Sequence, residues 1–148
     1  MPPLRPANER QPAPQFALQD SFGRTIHPNE YRGRVVLLDF WATWCTGCKE
    51  EIPWFSAFQK TYGEQGLAVV GVSMDEGGWN VLRPFLAKNP IPCTIVLGDN
   101  TTAQRYSIDS LPDTFLIDRN GKIAAAYKAG LVDRSDIEAN LKALLANH

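Results

Sequence analysis

Cysteine, histidine and methionine are scarce in this chain of 148 residues, at three, two and two. Three cysteines are too few to staple a scaffold, and the odd count leaves at least one thiol unpaired within the chain. A surplus of charge of either sign is also missing. Fifteen Lys and Arg stand against sixteen Asp and Glu, for a net charge of −1. No basic excess therefore points to nucleic acid or to an anionic membrane surface. No apolar run approaches the roughly 20 residues that span a bilayer. The hydrophobic fraction of 44% is enough for one core in a single domain of this length.

Residues 1–15 hold five prolines and only Met1 and Leu4 as large apolar side chains. This composition predicts a flexible, unpacked tail or linker, with the domain proper over residues 16–148. It has no apolar stretch of the signal-peptide kind. A proline-rich leader commonly spaces a domain from something else, so an upstream anchor or signal is expected. The alternative is a native N-terminus of a cytoplasmic protein.

From Phe16 onward the pattern is regular. Phe16–Leu18 and Thr25–Ile26 flank the turn Asp20-Ser-Phe-Gly23, as in a short hairpin. Arg34–Trp41 and Ala68–Ser73 are continuous apolar runs, the mark of strands buried on both faces. Thr94–Leu97, Thr114–Ile117 and Lys122–Tyr127 follow, the last two joined by Arg119-Asn-Gly121. Helical spacing falls between them, over 46–62, 80–88 and 136–146. Ser135 and Glu138 stand at capping-box spacing before the last. The alternation predicts an α/β domain whose central strands pair in parallel.

Two of the cysteines form Cys45-Thr-Gly-Cys48, directly after a buried strand and at the opening of a helix. A helix N-terminus offers unpaired N–H groups and the positive end of the dipole, which stabilise a thiolate. Residues three apart in the first turn lie on one face, so the two sulfurs can bond without moving the backbone. Cys45 is expected as the exposed nucleophile and Cys48, deeper, as the resolving thiol. A zinc site would need a second ligand pair, and only Cys93, His27 and His148 remain. A purely structural disulfide would close a very short loop with little entropic gain. Cys93, isolated before a strand, reads as a buried inert thiol, with a regulatory or intermolecular disulfide as the alternative.

The segment Asp39-Phe-Trp-Ala-Thr-Trp-Cys-Thr-Gly-Cys-Lys-Glu-Glu-Ile-Pro53 resembles the active-site segment of thioredoxin-like proteins. It is most similar to the extracytoplasmic TlpA/ResA/DsbE branch. The Phe16–Gly23 hairpin and Leu111-Pro-Asp-Thr-Phe-Leu-Ile-Asp118 with Asn120-Gly121 extend the likeness across about residues 14–146. The resemblance implies a thioredoxin fold: a central mixed sheet flanked by helices, with an added N-terminal hairpin. It implies a thiol–disulfide oxidoreductase whose only redox group is the Cys45–Cys48 disulfide, with no separate cofactor and no metal.

The resemblance also assigns surrounding roles. Pro112 matches the family's cis-proline, with Leu111 presenting its backbone to an extended substrate and Gly130 lining the same groove. Trp44, beside Cys45, is expected as a part-exposed contact surface. Asp39 is a carboxylate inside an apolar strand, which is costly without a role. It resembles the buried aspartate that handles the resolving thiol's proton. Glu51 shares a helix face with Cys48 and resembles the branch's active-site glutamate. Two departures stand out. Thr46-Gly47 is not thioredoxin's Gly-Pro, and Gly71 stands where cytosolic thioredoxin carries a lysine near its buried aspartate.

Protein thiols and disulfides are the expected substrates, in cytochrome c maturation or extracytoplasmic thiol homeostasis. A reductant in such a compartment needs an electron donor, a membrane thiol transporter or a thioredoxin. A monomer with no nucleic-acid partner is expected. Two other classes compete. A thioredoxin-fold peroxidase needs a threonine three residues before the reactive cysteine, where this chain has Ala42. A non-redox binding module on the same fold would have no reason to keep Cys45, Cys48, Trp44 and Pro112 together.

Overall fold

The computed structural model describes residues 4–129 and 133–147. A hairpin of β1 (Leu18–Gln19) and β2 (Thr25–Ile26) precedes the central strand β3 (Val35–Trp41). Then come α1 (Thr46–Tyr62), β4 (Leu67–Ser73), α2 (Trp79–Lys88), β5 (Thr94–Leu97) and the short α3 (Asn100–Arg105). The hairpin pair β6 (Asp113–Ile117) and β7 (Ile123–Lys128) leads to α4 (Arg134–Ala146). The five-stranded sheet has the order β5-β4-β3-β6-β7. β3 pairs in parallel with β4 and antiparallel with β6, so the sheet is mixed.

The two apolar runs are indeed strands with every residue buried. Their side chains alternate between two cores. Val35 and Leu37 pack with Phe55 and Phe58 of α1 and Leu141 of α4. Val36, Leu38 and Phe40 pack on the opposite face with Phe16, Tyr106 and Phe115. α1 buries Cys48, Glu51, Phe55, Phe58 and Tyr62, a stripe at alternating three- and four-residue steps. That stripe fixes which face of the helix carries the second cysteine.

The expectation for residues 1–15 is corrected. Their described part is not a free tail but a strap along the edge of β7. Arg5 N–H donates to Ala124 O at 2.8 Å, Ala13 N–H to Gly121 O at 2.9 Å, and Ile123 N–H to Gln11 O at 2.8 Å. Arg10 pairs with Asp118 at 2.9 Å, Ala13 is buried, and Leu4 rests on the core. Counting apolar side chains misled here, because the strap is held by its backbone. Proline's fixed φ suits an extended edge segment whose missing N–H would face outward. A chain beginning at Gln15 is expected to unfold at lower urea, with a loss of about 3 kcal/mol from three backbone bonds at about 1 kcal/mol each. Equal midpoints for the two chains would refute this.

Two further differences concern helices. α3 has almost no apolar periodicity. It is fixed instead by Asp99, whose side chain accepts from Thr102 N–H at 2.8 Å. α4 starts at Arg134 with Asp133 at its cap, and no capping box forms at Ser135. Glu138 accepts a hydrogen bond from Tyr62 Oη at 2.5 Å instead, tying α4 to α1.

Candidate active site

Cys45 is the N-cap residue of α1, in extended backbone, and its sulfur accepts from Cys48 N–H at 3.2 Å. The helix start therefore aims a donor at the sulfur that must carry negative charge during exchange. Cys45 and Cys48 are joined as a disulfide with Cα atoms 5.3 Å apart, and Cys93 stays free. One expectation is corrected. Cys45 is not openly exposed, keeping 6% of its surface against 0% for Cys48. It packs in a cluster with Trp41, Ala42, Leu82 and Ile95. The order of depth holds, so an attacking group meets Cys45 first. Trp44 stands out of the surface at 67% exposed.

The loop that delivers Cys45 is held by contacts that sequence reasoning missed. Thr43 Oγ1 donates to Asp75 at 2.6 Å, and Thr43 N–H also reaches that carboxylate. Ser73 Oγ donates to the other Asp75 oxygen at 2.7 Å. The signal was a buried-strand end, Ser73, followed two residues later by an acid. Nothing local tied that acid to Thr43, 32 residues earlier.

Leu111–Pro112 is a cis peptide bond, as the resemblance implied. Leu111 and Pro112 border a groove of about 330 Å³ with Gly47, Glu50, Glu51 and Trp54. A Cβ at Gly47 would meet Pro112 Cδ at 3.3 Å, so the glycine of the dipeptide allows the close approach of that ring. Ala129 also lines the groove. Gly130, the next residue, lies outside the described residues.

Three carboxyls, Asp39, Glu51 and Asp113, lie close enough to influence one another. Asp39 is buried and opposes Gly71 on β4 and Thr114 on β6. Thr114 Oγ1 donates to Asp39 Oδ1 at 3.2 Å. Burial pushes the Asp39 carboxyl well above the usual range, and the nearby Glu51 charge pushes it the same way. Glu51 itself is 8% exposed, and burial followed by repulsion from Glu50 raises it to about 7. Asp113, which the sequence reading did not single out, is fully buried beside Pro112 and pairs with Lys128 at 2.6 Å. Burial raises it and the lysine opposes the rise. Cys93 is half-buried, and burial drives its thiol to about 12, which makes it a poor nucleophile.

A group that titrates near neutrality beside the reacting sulfurs has a kinetic signature. Initial rates of insulin reduction against pH are expected to show an inflection near 7. Glu51→Gln is expected to remove it. An inflection that survives the substitution would assign it elsewhere.

A strand that ends in a helix-capping Cys-x-x-Cys, faced by a cis-proline and backed by buried carboxyls, defines a thioredoxin-fold thiol–disulfide oxidoreductase. The chain belongs to the AhpC/TSA family, whose model matches residues 10–126. It is similar to the thiol-disulfide oxidoreductase ResA of Geobacillus thermodenitrificans, with 34% identity over 133 residues, 89% of this chain and 75% of that protein. The thioredoxin-like protein YneN of Bacillus subtilis is 31% identical over 90% of this chain and 78% of its own length. Among solved structures, a thiol:disulfide interchange protein DsbE from Chlorobium tepidum superposes with a TM-score of 0.86. It has 33% identity and covers 92% of this chain and 96% of that one. The peroxidase alternative finds no support at position 42, where a buried alanine brings no hydroxyl.

Proposed function

We propose that this oxidoreductase works as a reductant of protein disulfides in an extracytoplasmic compartment. The observation that carries the direction is the acidic surround of the sulfurs. Asp39, Glu50 and Glu51 flank the Cys45–Cys48 motif in the sequence, and Thr46-Gly47 brings no cation. The burial that raises the Asp39 and Glu51 carboxyls also disfavours an anionic thiolate, and a poorly stabilised thiolate makes a reducing rather than an oxidising couple. The helix terminus and the adjacent Lys49 work the other way, which keeps Cys45 usable as a nucleophile.

In the forward cycle the Cys45 thiolate attacks one sulfur of a client disulfide and releases the other as a thiolate. Cys48 then gives its proton to Asp39 and attacks Cys45 Sγ. The mixed disulfide breaks, the Cys45–Cys48 disulfide forms, and the second client thiolate leaves. Leu111, Pro112 and Trp44 supply the surface against which the client segment lies. Two electrons must then return from a donor, a membrane thiol transporter or a thioredoxin. Support for the compartment comes from the likeness to ResA and DsbE. The same likeness puts the cysteines of apocytochrome c among the clients to be tried first.

Equilibration with glutathione, followed by tryptophan fluorescence, tests the direction. The expected potential lies below roughly −200 mV. A value near −120 mV, that of the strong oxidant DsbA, would overturn the reading.

A further inference from the structure

The tip of the small hairpin carries a side chain that its turn does not need. The turn closes on a bond from Gly23 N–H to Asp20 O at 3.1 Å. Asp20 Oδ1 also accepts from Phe22 N–H and Arg24 N–H, both at 2.9 Å. Asp20 and Gly23, the latter at a φ of 81°, meet the demands of the turn between them. Position 22 therefore suits any polar residue, yet it holds a phenylalanine that is 83% exposed. One exposed ring alone means little. This one stands on backbone that is already fixed, so a partner that covers it orders little more of the chain.

The tip is also joined to the active site. Arg83 of α2 donates from Nη1 to Ser21 O at 3.0 Å, and its guanidinium lies 4.9 Å from the centre of the half-buried Trp79 ring. Arg24 stacks on Phe22 in the same way, at 5.8 Å. Trp79 begins α2 and packs against the cluster that holds Cys45. Just before it, Gly78 N–H donates to Asp75 O at 3.1 Å, and the Asp75 carboxylate holds Thr43, the neighbour of Trp44. Phe22, Trp79 and Trp44 thus sit on three segments bonded each to the next, from the hairpin tip to the sulfurs. Val81 is the other large apolar side chain exposed among the described residues. It lies two positions beyond Trp79 and so on the other flank of α2.

We propose that Trp44, Trp79 and Phe22 form an aromatic ridge that binds apolar side chains of an unfolded client at some distance from its disulfide. The ridge is a second arm of recognition beside the cis-proline groove. It rests on the reading given above, in which the client lies against Trp44, and it continues that surface along α2 to the hairpin. The occupant is an extended segment bearing leucine or aromatic side chains. Flat rings steadied by stacked guanidiniums offer apolar area at little entropic cost. The same guanidiniums carry N–H donors for the carbonyls of an extended backbone. Such a surface reads side-chain area rather than sequence, so it suits clients that differ in everything but apolar flanks. Disulfides in unfolded, apolar stretches are then preferred over small soluble ones.

The test uses the reduced full chain in single turnovers with three probes. One is a peptide with an internal disulfide and leucine and phenylalanine on both sides of it. The second has serine at those flanking places, and the third is oxidised glutathione. Phe22→Ser removes the outer end of the ridge, and the exposure of that side chain leaves the fold indifferent to the change. The half-saturating concentration for the apolar peptide is expected to rise about tenfold, as for one lost apolar burial, with the limiting rate unchanged. The serine peptide and glutathione are expected to react as with wild type. Phe22→Trp restores the preference, and Val81→Ser leaves it intact. An apolar peptide that binds Phe22→Ser as well as wild type overturns the ridge. So does an equal loss in Val81→Ser, or a slowing of glutathione. A dimer seen by sedimentation in wild type and lost in Phe22→Ser would give the ridge to a second copy instead. A defect confined to re-reduction by thioredoxin would give it to the donor. Oxidised enzyme with the reduced peptides should show the same preference. The ridge is therefore tested even if the measured potential overturns the direction of electron flow.

Discussion

Cys48→Ser is expected to abolish catalytic turnover of insulin reduction while leaving the first step intact, so that a covalent complex with the client accumulates. The reasoning is positional. Cys45 caps α1 with the Cys48 N–H aimed at its sulfur, and that backbone donor survives replacement of the side chain. Attack by Cys45 therefore still occurs. What is lost is the only thiol placed to break the mixed disulfide. Cys93 cannot substitute, since burial drives its thiol up to about 12. Serine is close in size, so the fully buried position tolerates it. Mass spectrometry after incubation with a client disulfide should find a one-to-one adduct that dithiothreitol releases. Residual turnover above that of a Cys45→Ser control would show that another thiol resolves the intermediate.

Asp39→Asn is expected to act in opposite directions on rate and stability. Burial raises the Asp39 carboxyl above its ordinary value, so the folded protein binds this proton more tightly than the unfolded chain does. Wild-type stability from this group is therefore greatest below the unfolded value of about 3.9. It falls as pH climbs toward the raised folded value, above which the whole penalty is present. Asparagine does not titrate, and its side-chain oxygen can still accept from Thr114. The variant should thus be more stable than wild type at neutral and alkaline pH, with the gap narrowing on acidification. Turnover near neutrality should fall by about 100-fold, the lower end for loss of a general acid or base. Urea unfolding at pH 5 and pH 8, with insulin reduction at the same two values, checks both. A variant less stable than wild type at pH 8 would mean the carboxylate is a structural anchor instead.

The parts of the molecule written in local pattern could be read before any coordinates. β3 and β4 announce themselves as unbroken apolar runs, and α1 as helical spacing carried by Ile52, Phe55 and Phe58, although the buried stripe runs through Cys48 and Glu51 instead of Ile52. The nucleophile pair follows from where the two cysteines fall between those elements. Asp39 could be singled out because a carboxylate inside such a run needs a reason. What could not be read depends on residues far apart in the chain. The tie from Thr43 to Asp75 and the pairing of Asp113 with Lys128 exist only after the strands are laid side by side. The strap over residues 4–15 escaped for another reason. Its attachment is by backbone hydrogen bonds, which leave no mark on side-chain composition.

That strap has a counterpart across the sheet. At the β7 margin Pro12 bridges to Lys122, and at the β5 margin Asp20 of the small hairpin bridges to Val96. An open sheet ordinarily offers two rows of unsatisfied N–H and C=O groups to any extended chain nearby. Here each margin is partly occupied by the protein's own leading segment. For a protein that meets the thiols of other chains, a row of free edge groups invites unwanted strand addition. With both flanks partly taken up, the sheet leaves an extended chain fewer free edges on which to add itself as a further strand.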